Sequence, residues 1–157
     1  MILDSAVGKE RLFLGMGAVS GFVGVAAGAF GAHALKARLA ADLLAVFETG
    51  VRYQMYHAFA LIAVALLVTR RHGRAAPAAG WLFAIGTVLF SGSLYVLALT
   101  GVRAWRAVTP FGGVVWLAAW ASLALSARRR RSVVIEIEED AEMDHRTIPA
   151  APAHTEG

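Results

Sequence analysis

The side chains able to do chemistry gather at one isolated position, His33, and in one short run: Glu48, Arg52, Tyr53, Gln54, Tyr56 and His57. On a helix Glu48 and Arg52 form an i,i+4 pair in the favourable order, and Arg52/Tyr56 and Tyr53/His57 repeat that spacing. Four chemistries are open to such a set. The residues can form a structural polar cluster that satisfies exposed helix ends, or a recognition site for a lipid headgroup, a quinone or a small partner. The two imidazoles can ligate haem or another metal, but two histidines without further donors specify none. General acid–base catalysis is within reach of a histidine, yet no nucleophile or oriented carboxylate accompanies it. The structural cluster is the expected reading, with no catalytic residue, metal or cofactor assigned and no enzyme activity expected. His72, His145 and His154 receive no role.

The elements that must position these residues are apolar spans. The 157 residues are 58% hydrophobic, with a mean hydropathy of +0.61, which places the chain in the membrane class. Residues 12–32, 53–69, 79–100 and 110–127 each approach the roughly 20 apolar residues that cross a ~30 Å hydrocarbon core. No Asp, Glu, Lys or Arg falls inside these spans, so the carboxylate expected of an ion-coupled exporter is absent from them. There is no cysteine, hence no disulfide or thiolate ligand. A cleaved signal peptide is disfavoured, because the first apolar run exceeds the ~7–15 residues of a signal core and acidic residues precede it.

The net charge of +4 reflects cations at span ends, where they set topology, and no nucleic-acid partner is expected. Counting alternate connections, one side of the membrane receives Lys9, Arg11, Arg70, Arg71, Arg74 and Arg128 to Arg131, the other Lys36, Arg38, Arg52, Arg103 and Arg106. Both termini are therefore predicted to be cytoplasmic, in a bacterial inner membrane. Leu35, Leu39, Leu43, Val46 and Phe47 recur at helical spacing among charged positions, predicting a short amphipathic interfacial helix between spans one and two. Thr109 and Pro110 predict an N-cap and first helical residue for span four. Trp81, Trp105, Trp116 and Tyr53 fall near span ends as an aromatic belt would, with Trp120 deeper. Residues 128–157 read as a polybasic stop and an acidic, mostly disordered cytoplasmic tail.

Gly17, Gly21, Gly24, Gly28 and Gly31 are spaced 4, 3, 4 and 3, a 3.5-residue repeat that aligns them along one seam. In lipid, close backbone approach along small residues drives helix association. Gly80, Ala84, Thr87 and Ser91 on the third span offer a matching surface, and the first span is expected to pack centrally. The same seam is compatible with a homo-oligomer or another membrane protein as partner, alongside the lipid bilayer. The expected architecture is an all-α integral membrane four-helix bundle over residues 1–127.

Four motifs, GAFGAH (28–33), FETGVRYQMYHA (47–58), LFSGSLYVLALTG (89–101) and TPFGG (109–113), occur in the order and spacing of the YgdD/YwdK family of small bacterial membrane proteins. The resemblance spans roughly Leu12 to Leu125. It implies a multi-pass inner-membrane protein of four helices with no established activity. The family's characteristic residues fall here on Gly28, Gly31, His33, Tyr53, Gln54, Tyr56, His57, Ser91, Gly92, Ser93, Tyr95, Thr109, Pro110, Gly112 and Gly113. The family commonly has alanine where this chain has Gly50, a change expected to loosen the start of the second helix. The acidic tail is not part of the pattern. The function expected is structural or partner-binding within the membrane, with a small-molecule, lipid, quinone or haem-binding component as the alternative.

Overall fold

The structure, a computed structural model, describes residues 2–70 and 73–128. The acidic-tail reading lies outside the described residues, as do Arg129 to Arg131 of the polybasic stop. Four long helices make up the bundle: α1 (Ile2–Phe30), α2 (Ala41–Val68), α3 (Ala75–Thr100) and α4 (Thr109–Arg128). All four are long and apolar enough to cross a membrane, and no strand occurs among the described residues. The protein is an all-α, multi-pass four-helix membrane bundle. Large apolar side chains point outward, Phe22 at 77% exposure, Val88 at 72% and Leu117 at 71%. In water such a surface would aggregate; in a bilayer it is the solvated face.

The predicted interfacial helix does not form as a separate element. Its first residues continue α1 through a π-helical turn, Gly31–Leu35, in which the Lys36 amide donates to the Gly31 carbonyl at 3.1 Å. The extra residue of that turn rotates Leu35 inward against Phe47. Ala40 then adopts an extended conformation and α2 starts at Ala41, with Asp42 favourably placed at the positive end of the helix dipole. The amphipathic stretch is the opening of α2 itself, running unbroken through Gly50. Nor does Gly50 loosen the helix: a methyl group there would lie 2.9 Å from the Tyr95 ring, so the glycine admits that ring.

The glycine seam faces α2, not the third span. A methyl group at Gly17 would stand 2.8 Å from Ile62 Cγ1 and 3.0 Å from the Ala58 carbonyl oxygen, and one at Gly24 would stand 2.6 Å from Met55 Sδ. Gly28 meets Val51 and Gly31 meets Phe47, but Gly21 has nothing within 4 Å. Of the third-span set Gly80 touches α1, where the Phe13 ring occupies the space of its absent side chain. Nor is α1 central. The core is built on α2 and α3, with Leu61, Val64, Ala65, Ala79 and Phe83 buried together with Phe13 of α1 and Trp116 of α4. We expect Gly17→Leu to destabilise the bundle by about 1–3 kcal/mol through overpacking, with Gly21→Leu within about 0.5 kcal/mol of wild type. Thermal unfolding in detergent separates them, and equal midpoints would show that the seam does not hold α1 to α2.

The α3–α4 connection differs in detail from the expected cap. Gly101 ends α3 in the left-handed region, φ 72°, with its amide donating to the Leu97 carbonyl, as an αL terminus requires. A 3-10 turn, Arg103–Ala107, leads into α4. Thr109 does not cap through its side chain. Its hydroxyl reaches back to the Trp105 carbonyl at 3.4 Å and pairs with the Ser93 hydroxyl at 2.8 Å, tying the start of α4 to α3. Pro110 sits in the first turn, where its missing N–H costs nothing.

Candidate functional site

The polar set predicted to cluster is divided between different faces. His33 lies exposed on the π-helical turn, and Glu48 and Arg52 are exposed on α2, where an ion pair contributes little. Tyr53 and Tyr56 are partly exposed, their rings 5.8 Å apart edge to face. Gln54 and His57 are buried, each 5% exposed. Three residues apart, they leave α2 on adjacent faces, about 60° from each other, and turn to different partners.

His57 faces α4. Its ring lies flat on Trp116, centroids 3.6 Å apart and planes at 7°, with Phe83 at 5.7 Å. Nδ1 is 2.8 Å from the Tyr53 carbonyl oxygen; because that oxygen only accepts, the proton resides on Nδ1. Trp116, expected in an interfacial belt, is instead 4% exposed and donates its indole N–H to the Phe83 carbonyl at 3.3 Å. It fits there because Gly86 leaves its edge room.

His33 and His57, whose imidazoles the sequence leaves free to meet, lie apart. Gly24 packs on Met55 and Gly17 on Ala58 and Ile62, so the level of His57 on α1 falls near Phe22, roughly 16 Å along the axis from His33 at 1.5 Å per residue. His57 lies this far along the bundle because α2 begins at Ala41 and not near Tyr53. His57 stacks on Trp116, which packs at Gly86, close to the midpoint of the 26-residue α3. It therefore sits near mid-bundle. The bis-histidine geometry is gone with that separation, and no group of three or more metal-ligating side chains occurs among the described residues.

Gln54, on the adjacent face, turns into a groove between α1 and α3. Its Nε2 donates to the Ser20 carbonyl of α1 at 2.9 Å, and its Oε1 accepts from the Tyr95 hydroxyl of α3 at 2.8 Å. One amide thus ties three helices. Phe13 closes the far end of the α1–α3 cleft against Gly80 and Trp81. Towards the α1–α2 turn the two helices leave a cavity of about 420 Å³ over α2. Val19 and Val88 stand at its rim, 64% and 72% exposed. Gln54, Ser20, Thr87 and Tyr95 supply its polar atoms. The Thr87 hydroxyl donates to the Phe83 carbonyl at 2.9 Å, and the buried Ser20 hydroxyl has no partner. Ala84 also lines the groove, while Ser91 is buried with its hydroxyl unpaired.

Ser20 was absent from the predicted polar set, and Tyr95 entered only through the family resemblance. A signal for both was present: a glutamine, a tyrosine and a serine in separate apolar spans must find partners where water is absent. Trp116 as the partner of His57 carried no comparable signal, since an indole near a span end also fits a belt.

The family described as "Protein of unknown function (DUF423)" matches residues 27–113, which include the Gln54–Tyr95 pair, His57 and the close α3–α4 crossing. The UPF0382 inner membrane protein YgdD of Escherichia coli K12 is 44% identical over 120 residues, covering 76% of this chain and 92% of the relative. The UPF0382 membrane protein YwdK of Bacillus subtilis is 42% identical over 118 residues, covering 74% and 96%. A UPF0382 membrane protein of Staphylococcus haemolyticus is 42% identical over 116 residues, covering 74% and 94%. No solved structure matches. With four apolar helices and relatives matched over nearly their whole length, the chain belongs to the DUF423 family of membrane proteins.

Proposed function

We propose that the protein is a non-enzymatic binding component of the bacterial cytoplasmic membrane that holds a second membrane-resident molecule in the α1–α3 groove. The observation that carries this reading is a lateral cavity with a hydrogen-bonded amide at its floor, in a region where every unpaired polar group is costly. Its polar side chains are neutral at pH 7 and suit holding and orienting rather than proton transfer. The imidazole of His57 faces α4 instead. A photo-crosslinking residue at Val88, on the rim, is expected to give a discrete adduct in native membranes. The same residue at Leu117, on the lipid face of α4, should label only bulk lipid. Identical labelling at the two positions would remove the groove as a binding face.

Both termini are assigned to the cytoplasm, because nine cations fall in the N-terminal segment, the second connection and the segment after the fourth span, against four, Lys36, Arg38, Arg103 and Arg106, in the first and third connections, Arg52 lying within α2. Reporter fusions after Arg131 should then report a cytoplasmic location and fusions near Ala40 a periplasmic one. The reverse pattern would overturn the assignment.

A further inference from the structure

We infer that the groove takes a ring carbonyl compound on an apolar tail, of the chemical class of the isoprenoid quinones, with Gln54 as donor to its oxygen. This rests on the groove being a binding face, as proposed above, and adds the class of molecule. A primary amide carries two N–H donors. Gln54 uses one on the Ser20 carbonyl, and its oxygen already receives the Tyr95 proton. The second N–H has no acceptor in the protein, although Gln54 is 5% exposed and lines the cavity. In hydrocarbon an orphaned N–H is expensive, and the complement it lacks is an oxygen acceptor without a proton of its own to satisfy. A carbonyl meets that requirement, and its second lone pair can serve the Ser20 hydroxyl, which lines the same cavity without a partner.

Depth selects among carbonyl sources. Gln54 is three residues from His57 on α2, so it lies about 4.5 Å along the axis from the mid-bundle level. Phospholipid ester carbonyls sit at the edge of the hydrocarbon, about 15 Å from its centre. A phospholipid seated with its ester at the membrane boundary therefore reaches Gln54 only with its methylenes, which cannot accept. A ring carbonyl dissolved in the hydrocarbon reaches it directly. The remaining lining is apolar, from Met16, Val23 and Leu61 to Val88, as a ring and tail require. Gly92 adds open space at the groove, with nothing within 4 Å of where its side chain would begin.

The test uses full-length protein in nanodiscs of a single defined phospholipid, titrated with a decyl-substituted benzoquinone, and with empty nanodiscs as the partition background. Wild type is expected to retain quinone saturably above background. Gly92→Leu fills the groove where nothing stands in the way and should weaken retention by at least about tenfold. Gly21→Leu, also placed in open space but outside the groove lining, should bind as wild type does. Gln54→Met should lose retention too; because it also removes a tie between helices, Gly92→Leu is the variant that decides. No saturable retention, or retention unchanged in Gly92→Leu, overturns the inference. So does a Val88 crosslink that captures a second copy of the chain or a phospholipid in place of added quinone. In that case the groove remains a binding face and only the class of occupant is wrong.

Discussion

Replacing Gly112 by alanine is expected to cost about 1–3 kcal/mol or more, the range for forcing atoms into a filled site. The added methyl would stand 2.5 Å from the Phe90 backbone nitrogen and 2.8 Å from its Cα and Cβ. A flexible side chain could swing aside, as Met55 can at Gly24, but the backbone of a neighbouring helix cannot. Relief requires α3 and α4 to part, and three other contacts depend on their spacing: Ser93 to Thr109, Trp116 to the Phe83 carbonyl, and His57 on Trp116. Gly113→Ala is the internal control. Its methyl would meet only the edge of the Phe90 ring at 4.0 Å, and alanine's better helix propensity works in its favour by up to about 1 kcal/mol. Unfolding midpoints in mixed detergent should fall for Gly112→Ala and hold or rise for Gly113→Ala. Equal behaviour would show that α3 and α4 do not cross this closely.

Such crossings show how much of the fold was legible in the sequence. Length and apolarity give the four spans, because a bilayer imposes a minimum number of apolar residues on any helix that crosses it. They do not give the start of α2. Asp42, Glu48 and Arg52 interrupt the apolar run, yet helix continuity is set by backbone hydrogen bonding, which these residues permit at exposed positions. Reading the charges as a boundary displaced Gln54 and His57 from mid-bundle to its edge and joined them to His33. The seam of glycines was visible as a repeat, but a repeat of missing side chains does not identify its partner. Met55, Ile62 and Phe47 carry that information only once α1 and α2 are antiparallel in register. Gln54 was recognisable as polar; its tie to Ser20 and Tyr95 depends on which way each helix rotates, which nearly uniform apolar faces leave unmarked.

That tie gives the second large effect, expected from Gln54→Leu. Leucine fills a comparable volume, so the change is chiefly in hydrogen bonding. The Ser20 carbonyl keeps its own helical partner, but the Tyr95 hydroxyl loses its acceptor. A buried donor left unmade costs about 1–3 kcal/mol, and bonds between membrane helices average about 0.6 kcal/mol with a maximum near 1.7; a loss of about 1–2 kcal/mol is the expected result. Tyr95→Phe removes the donor and leaves an amide oxygen with a spare lone pair, so it should cost less, about 0.6 kcal/mol. The double variant is the informative one. With neither partner present no group is orphaned, and it should recover much of the Gln54→Leu loss instead of adding to it. A cycle of the four proteins, followed by unfolding in mixed detergent, reads this directly, and strict additivity would mean that the two side chains do not act as a pair. Coupling would show that the Gln54 amide of α2 and the Tyr95 hydroxyl of α3 hold each other at the floor of the groove.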